Sequence, residues 1–84
     1  MIKVYGSMLC PDCVACVAAM KERNLDFEFY DFKDSLKFLK EFLRLRDTSE
    51  LFNEIRENDK IGIPCIVKED GSIFLDWMEY LESV

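Results

Sequence analysis

The sequence predicts an α/β fold, in which a mixed sheet of four strands is flanked by helices. Apolar and polar residues alternate at residues 2–5 and again at 25–32, which is typical of strands. Between residues 36 and 55, apolar residues recur at spacings of three and four, which is typical of helices. The Asp70-Gly71 pair is a strong hairpin signal between two short apolar runs. The predicted order is β-α-β-α-(α)-β-β-α.

The first strand is expected at residues 2–5 and the first helix at residues 11–23. Pro11 suits the first position of a helix, where its missing N–H has no partner to lose. Residues 14–20 are nearly all apolar and mostly small, so we expect this helix to be buried closely against the sheet. Asn24 is expected to end it in a left-handed conformation.

A second strand at residues 25–32 leads to a helix that Asp34 or Ser35 can cap. Thr48 or Ser49 can then restart a helix, and the sequence leaves open whether there are two helices or one bent one. The apolar face of the first of these helices is expected to contain Leu36, Leu39, Phe42 and Leu43.

Two strands and a short helix are predicted for the last third of the chain. Residues 65–67 and 73–75 are the strands on either side of the Asp70-Gly71 turn. Asp76 is expected to cap a final helix that carries Trp77.

Composition restricts the classes of function. A chain of 84 residues with no internal repeat and no linker indicates one domain, residues 1–84. The net charge of −6, without any long basic cluster, argues against nucleic acid and anionic membranes as partners. Because the chain has no His, a Cys-His nucleophile, a Ser-His-Asp triad and a His-ligated metal are all excluded within it.

The expected location is the cytoplasm. The first residues lack the pattern of a signal peptide, and no apolar run approaches the roughly 20 residues that cross a bilayer. In the cytoplasm, four cysteines are more typical of catalysis or metal binding than of a structural disulfide framework.

Cys10-Pro11-Asp12-Cys13 is the most informative motif. Two thiols separated by two residues can close a small disulfide. Cys10 is expected at the first turn of a helix, where free backbone N–H groups and the helix dipole favour the thiolate. The thiolate is the species that attacks disulfides, so the motif indicates redox chemistry.

The Cys-x-x-Cys follows an N-terminal strand, and Ile63-Pro64 opens a strand and hairpin about fifty residues later. With the predicted order of elements, this resembles the thioredoxin fold, and its size and layout are similar to a glutaredoxin. The resemblance implies that Cys10 is the nucleophile and Cys13 the resolving thiol of a redox-active centre. It also implies that Pro64 is a cis-proline and that Ile63 offers its backbone to a substrate.

The chain departs from the usual glutaredoxin pattern at several places. Asp12 stands beside Pro11 where glutaredoxins commonly carry Tyr. Residues 7–8 provide no basic side chain before the first cysteine, and bulky residues around Phe74 and Leu75 replace a Gly-Gly pair. Asp76 matches the acidic residue after that pair only loosely. The resemblance therefore implies retained thiol chemistry with an altered glutathione site.

The leading hypothesis is a glutaredoxin-like thiol–disulfide oxidoreductase that serves electron transport and cell redox homeostasis. Its expected partners are a disulfide-containing protein or small molecule, and a dithiol reductase, glutathione or another thiol as electron donor. No tightly bound cofactor is expected.

Two alternatives stay open. The first is a metal or iron–sulfur site, whose ligands would be Cys10, Cys13, Cys16 and Cys65. The second is a non-catalytic interaction domain that has kept the fold. The simplest interpretation of Cys16 and Cys65 is nevertheless that they are small buried side chains in the core.

Overall fold

The computed structural model describes residues 1–84 and confirms the predicted fold class and order of elements. A single 3₁₀ turn, Glu50–Phe52, joins the second and third helices. The elements are β1 (Ile2–Gly6), α1 (Pro11–Glu22), β2 (Phe27–Asp31), α2 (Leu36–Thr48), α3 (Asn53–Glu57), β3 (Cys65–Val67), β4 (Ile73–Phe74) and α4 (Trp77–Glu82).

The sheet has the strand order β2-β1-β3-β4. β1 runs parallel to β2 and antiparallel to β3, and β3 pairs with β4 in an antiparallel hairpin. Val4 lies opposite Phe29 on one side and Ile66 on the other. β1 is therefore an interior strand, and its carboxyl end leads directly into the cysteine motif.

The two faces of the sheet carry separate hydrophobic cores, because successive side chains of a strand point to opposite faces. On one face Val4 packs with residues of α1 and α4, among them Met20 and Leu81. On the other face Tyr5 packs with Phe42 and with the 3₁₀ turn. The helices thus cover the sheet on both sides, α1 and α4 on one and α2 on the other.

Several residues predicted to begin or end a helix are confirmed in that role. Asn24 adopts a left-handed φ of 56° just after α1. The hydroxyl of Ser35 caps α2 by accepting the Lys37 N–H at 3.1 Å. The backbone of Ser49 is extended and its hydroxyl accepts the Leu51 N–H. The helix therefore ends there, and α2 and α3 are separate helices.

Two expectations about burial were wrong. Of the predicted apolar face of α2, only Phe42 is fully buried, and Leu36 is 71% exposed. The buried face is rotated towards Phe38, which stacks on Tyr30 with 4.5 Å between ring centroids. α1 is likewise buried on one side only, because it packs on the sheet and α4 while its other side faces solvent, where Val14, Ala15 and Ala18 are exposed.

None of the helices is both long enough and apolar enough to cross a membrane.

The cap of α4 gives a testable expectation. The Asp76 carboxylate accepts the Glu79 N–H at 3.1 Å, so Asp76→Ala leaves that donor unpaired. We expect a loss of about 1 kcal/mol in the free energy of unfolding, measured by urea denaturation. Asp76→Asn keeps an acceptor and serves as the control. Equal losses in the two variants would contradict the capping role.

Candidate active site

Cys10 lies at the amino end of α1, as predicted. It is the N-cap residue, with extended backbone angles of φ −92° and ψ 120°, and Pro11 follows as the first helical residue. Its carbonyl accepts the Val14 N–H at 3.1 Å, which closes the first helical turn. The side chain of Cys10 makes no capping hydrogen bond and is partly exposed. Its side chain is therefore accessible to other molecules.

The loop between β1 and α1 is held by a short set of hydrogen bonds. The Cys10 N–H donates to the Ser7 carbonyl at 3.0 Å, and the Leu9 N–H donates to the Ser7 hydroxyl at 3.2 Å. The Met8 N–H donates to the carboxylate of Asp31 at 3.4 Å. That carboxylate is buried and also accepts the Lys33 N–H at 3.0 Å. Asp31 thus ties the loop before Cys10 to the end of β2.

Cys13 lies one turn further along α1 and has no exposed surface. Its sulfur sits against Gly6, where a Cβ would come within 2.6 Å of it. The pKa of the Cys13 thiol is raised to about 12, mainly by burial and also by the neighbouring Cys10 and Cys16, while the Ser7 backbone opposes the shift. Cys13 is therefore a protonated thiol behind an accessible one.

A pocket of about 390 Å³ opens beside Cys10. Its opposite wall is the segment 59–63, which ends in the cis Ile63-Pro64 peptide bond. Gly62 has a φ of +96°, and a Cβ there would lie 3.0 Å from the Phe52 ring. Both the backbone conformation and the close packing therefore require glycine at this position.

Arg46 of α2 fixes the same segment from behind. Its guanidinium donates to the Ile61 carbonyl at 3.0 Å and to the Lys60 carbonyl at 2.7 Å. Arg56 ties the neighbouring backbone together by donating to the carbonyls of Arg46 and Ser49. Arg46 thus holds the wall that faces Cys10, and Arg56 braces the end of α2 that carries Arg46.

The structure brings some of the predicted site residues together. Cys10 and Ile63 line one pocket, and Pro64 is buried directly behind it. Pro11 and Asp12 are exposed on the first turn of α1 next to Cys10, outside the pocket lining. Asp76 lies outside it as well, and its carboxylate is engaged as the cap of α4.

The other two cysteines lie in different cores. Cys16 packs with Val4 and Met20 on the α1 face of the sheet, whereas Cys65 packs with Tyr5 and the 3₁₀ turn on the α2 face. Burial raises the pKa of the Cys16 thiol to about 11 and that of Cys65 to about 12. Both are small, protonated core side chains.

The four thiols do not converge. No group of three or more potential ligand side chains is placed to hold a metal ion. The sheet separates Cys65 from Cys16, so the four-cysteine metal site receives no support from the geometry. All four cysteines are free thiols in this structure.

Three important residues of the site were not recognised in the sequence. Asp31 had one usable signal, because it is a charged residue at a position where the alternation of Leu25, Phe27 and Phe29 calls for an apolar one. Gly6 also had one, because a glycine directly after a strand often marks a close approach. Arg46 had none, since its spacing is that of any exposed charge on a helix.

The fold is that of a thioredoxin-like protein, with a pair of thiols at the start of its first helix. Two solved structures of thioredoxin-like proteins superpose on it. The thioredoxin-like protein BC3987 superposes with a TM-score of 0.63 and 25% identity, over 99% of this chain and 97% of that one. A point mutant of BC3987 superposes with a TM-score of 0.66, also at 25% identity, over 99% of this chain and 96% of that one. The chain is accordingly a member of the thioredoxin-fold superfamily.

Within that class the chain belongs to the same family as a protein of Haemophilus influenzae described as uncharacterized. The two are 36% identical over 73 residues, which cover 87% of this chain and 85% of that protein. No protein-family model matches the chain.

The contact between Gly6 and Cys13 can be tested by a double-mutant cycle. Gly6→Ala places a methyl group into the Cys13 sulfur, so we expect a destabilisation of about 1–3 kcal/mol by urea denaturation. In a Cys13→Ala background the sulfur is gone, and the same change is expected to cost at least about 1 kcal/mol less. If the losses in the free energy of unfolding were additive, positions 6 and 13 would not be energetically coupled, and the proposed contact would be wrong.

The buried thiols predict a fall in stability at alkaline pH. Each raised pKa means that the folded state keeps a proton that the unfolded state releases, so the stabilisation is complete below about pH 9. It is lost progressively as the pH rises from there through 11–12.

Cys65→Ala isolates one of these thiols. The slope of unfolding free energy against pH, between about pH 9 and 10.5, is expected to become shallower by roughly 1 kcal/mol per pH unit. Cys10→Ala, at an exposed position, is the control and should leave the slope nearly unchanged. Parallel slopes in the parent and Cys65→Ala would show that the Cys65 thiol does not contribute.

Proposed function

We propose that this protein is a glutaredoxin-like thiol–disulfide oxidoreductase that reduces disulfides by dithiol exchange through Cys10 and Cys13. One observation carries the proposal: an accessible thiol at a helix N-terminus stands directly in front of a buried one. This difference in exposure assigns different roles to the two sulfurs. Two equivalent surface thiols would give no such order of events.

The first step belongs to Cys10. Its thiolate attacks one sulfur of a substrate disulfide, forms a bond between the Cys10 sulfur and that sulfur, and expels the other half of the substrate as a thiolate. The free N–H groups of the first turn of α1 and the positive end of the helix dipole favour the attacking anion. Pro11 removes no N–H that the helix would otherwise use.

The second step belongs to Cys13. Its thiol releases a proton to the departing thiolate or to water, and its sulfur attacks Cys10. The second half of the substrate leaves as a thiol, and the two electrons that reduce the substrate come from the Cys10 and Cys13 thiols, which are oxidised to the Cys10–Cys13 disulfide. The nearby Ser7 backbone lowers the pKa of Cys13, which favours its anion at this moment. A thiol or dithiol donor then regenerates the pair.

The altered positions around the pocket argue for a dithiol rather than glutathione as the donor. Leu75 lines the pocket with its side chain, and Phe74 packs into the core beneath, where glutaredoxins carry small glycines. The nearest cation in the pocket lining is Lys60, which is exposed on the opposite wall. The chain therefore offers little room and no basic side chain before Cys10 for a glutathione carboxylate.

Two cysteine variants test the mechanism with a small disulfide, bis(2-hydroxyethyl) disulfide, and dithiothreitol as the electron donor. Cys10→Ser is expected to lose the activity by at least about a hundredfold, because no accessible sulfur is left to attack. Cys13→Ser, mixed with the same disulfide in the absence of dithiothreitol, is expected to stop at the mixed disulfide on Cys10 and to accumulate it, as detected by intact mass.

Cys16→Ser is the control, since its sulfur is buried and takes no part in the exchange. Full activity in Cys10→Ser would rule the mechanism out, as would a Cys13→Ser variant that forms no mixed disulfide when dithiothreitol is absent.

A further inference from the structure

Exposed apolar side chains surround the active-site thiol. Leu9, which directly precedes Cys10, is 90% exposed, and Ile61 on the facing segment is 59% exposed. These residues belong to an apolar groove of about 480 Å³ between α2 and the loop before α1. Most of its lining is apolar, including Leu9, Phe32, Leu39, Leu43, Ile61 and Ile63. We call this the α2 groove.

The α2 groove is continuous with the pocket of Cys10. Ile61 and Ile63 line both of them, so the two depressions meet along the segment that Arg46 holds in place. A substrate whose disulfide lies on the Cys10 sulfur therefore has neighbouring residues within reach of the groove. The groove adjoins the reacting sulfur and is not a remote surface.

The charges of the groove point to the chemistry of its occupant. Although the chain carries a net charge of −6, the only ionisable side chains in the groove lining are Lys33 and Arg46. Arg46 is engaged by the carbonyls of Lys60 and Ile61. Lys33 is exposed and forms no ion pair, so its ammonium group is free to meet an anion.

We propose that the α2 groove binds the substrate: an extended segment of a protein that places a bulky aliphatic side chain near its disulfide cysteine and a carboxylate next to that side chain. The aliphatic side chain lies among Leu9, Leu43 and Ile61, and the carboxylate faces Lys33. The inference rests on the proposed function and names the substrate class of the same site. Glutathione does not fit this description, because it has no aliphatic side chain to fill an apolar groove.

The test uses heptapeptides with one cysteine, each oxidised to its disulfide-linked dimer and reduced with dithiothreitol as donor. One series carries Leu, and the matched series Ser, at each of the two positions on either side of the cysteine. We expect the best Leu peptide to exceed its Ser counterpart in kcat/KM by about tenfold, since the groove removes the side chain from water.

Two leucines of the same helix provide matched variants. Leu43→Ser alters the groove. In this variant the ratio of kcat/KM for the Leu peptide to kcat/KM for the Ser peptide is expected to fall to about one. Leu36→Ser, at a position that is 71% exposed and outside the groove, is expected to leave the ratio unchanged. Equal rates for Leu and Ser peptides in the parent protein, or equal ratios in the two variants, would overturn the inference.

The carboxylate is tested with Asp and Asn peptides. The Asp peptide is expected to be about threefold better at low salt, and this preference should disappear in Lys33→Gln and at about 0.5 M salt. Lys37→Gln, at an exposed position outside the groove, is the control. No preference for Asp in the parent protein would overturn this part.

The same assays separate the two proposals. If the parent protein reduces bis(2-hydroxyethyl) disulfide but treats all peptides alike, only the substrate class is wrong. If it reduces no disulfide at all, the redox function is wrong and the inference falls with it. Faster turnover of glutathione disulfide than of every peptide would also overturn the substrate class.

Discussion

The close approach of the Cys13 sulfur to Gly6 is the contact on which the rest of the site depends. A side chain at position 6 would collide with that sulfur, so glycine lets α1 lie directly on the carboxyl end of β1. Because Cys13 is held there, the preceding turn of α1 places Cys10 at the edge of the sheet, where it is partly exposed. A looser contact would admit water to Cys13 and make the two thiols more alike.

The two cores support this arrangement from opposite sides. β1 supplies Val4 to one core and Tyr5 to the other, so the strand that leads into the cysteine motif is fixed on both faces. The Tyr5 hydroxyl also donates to Glu41 of α2 at 2.9 Å. Arg46, on the same helix, holds the opposite wall of the pocket. α2 therefore sets the distance between the thiols and the facing segment, although it carries no reacting group.

Local patterns in the sequence were sufficient to predict the elements and the position of Cys10 at the start of α1. Caps, a hairpin dipeptide and alternating residues are determined by neighbours along the chain, so Ser35, Asp70-Gly71 and β1 could be predicted. The orientation of α2 could not, because Phe38 and Leu36 have similar hydrophobicity and only the ring of Tyr30 decides between them. Asp31 and Arg46 act on distant backbone groups, and such contacts leave no periodic signal.

The short edge of the sheet has a consequence for the behaviour of the unbound protein. β4 has only two residues and β2, at the other edge, carries the exposed Glu28. A strand of two residues offers few unpaired backbone groups to a second chain, and a charge on the other edge discourages pairing there. Strand-to-strand pairing between copies is thus disfavoured at both edges of the sheet, even though exposed leucine and isoleucine lie beside the thiol. The sheet edges offer little to a second chain, whereas the apolar surface beside Cys10 stays open.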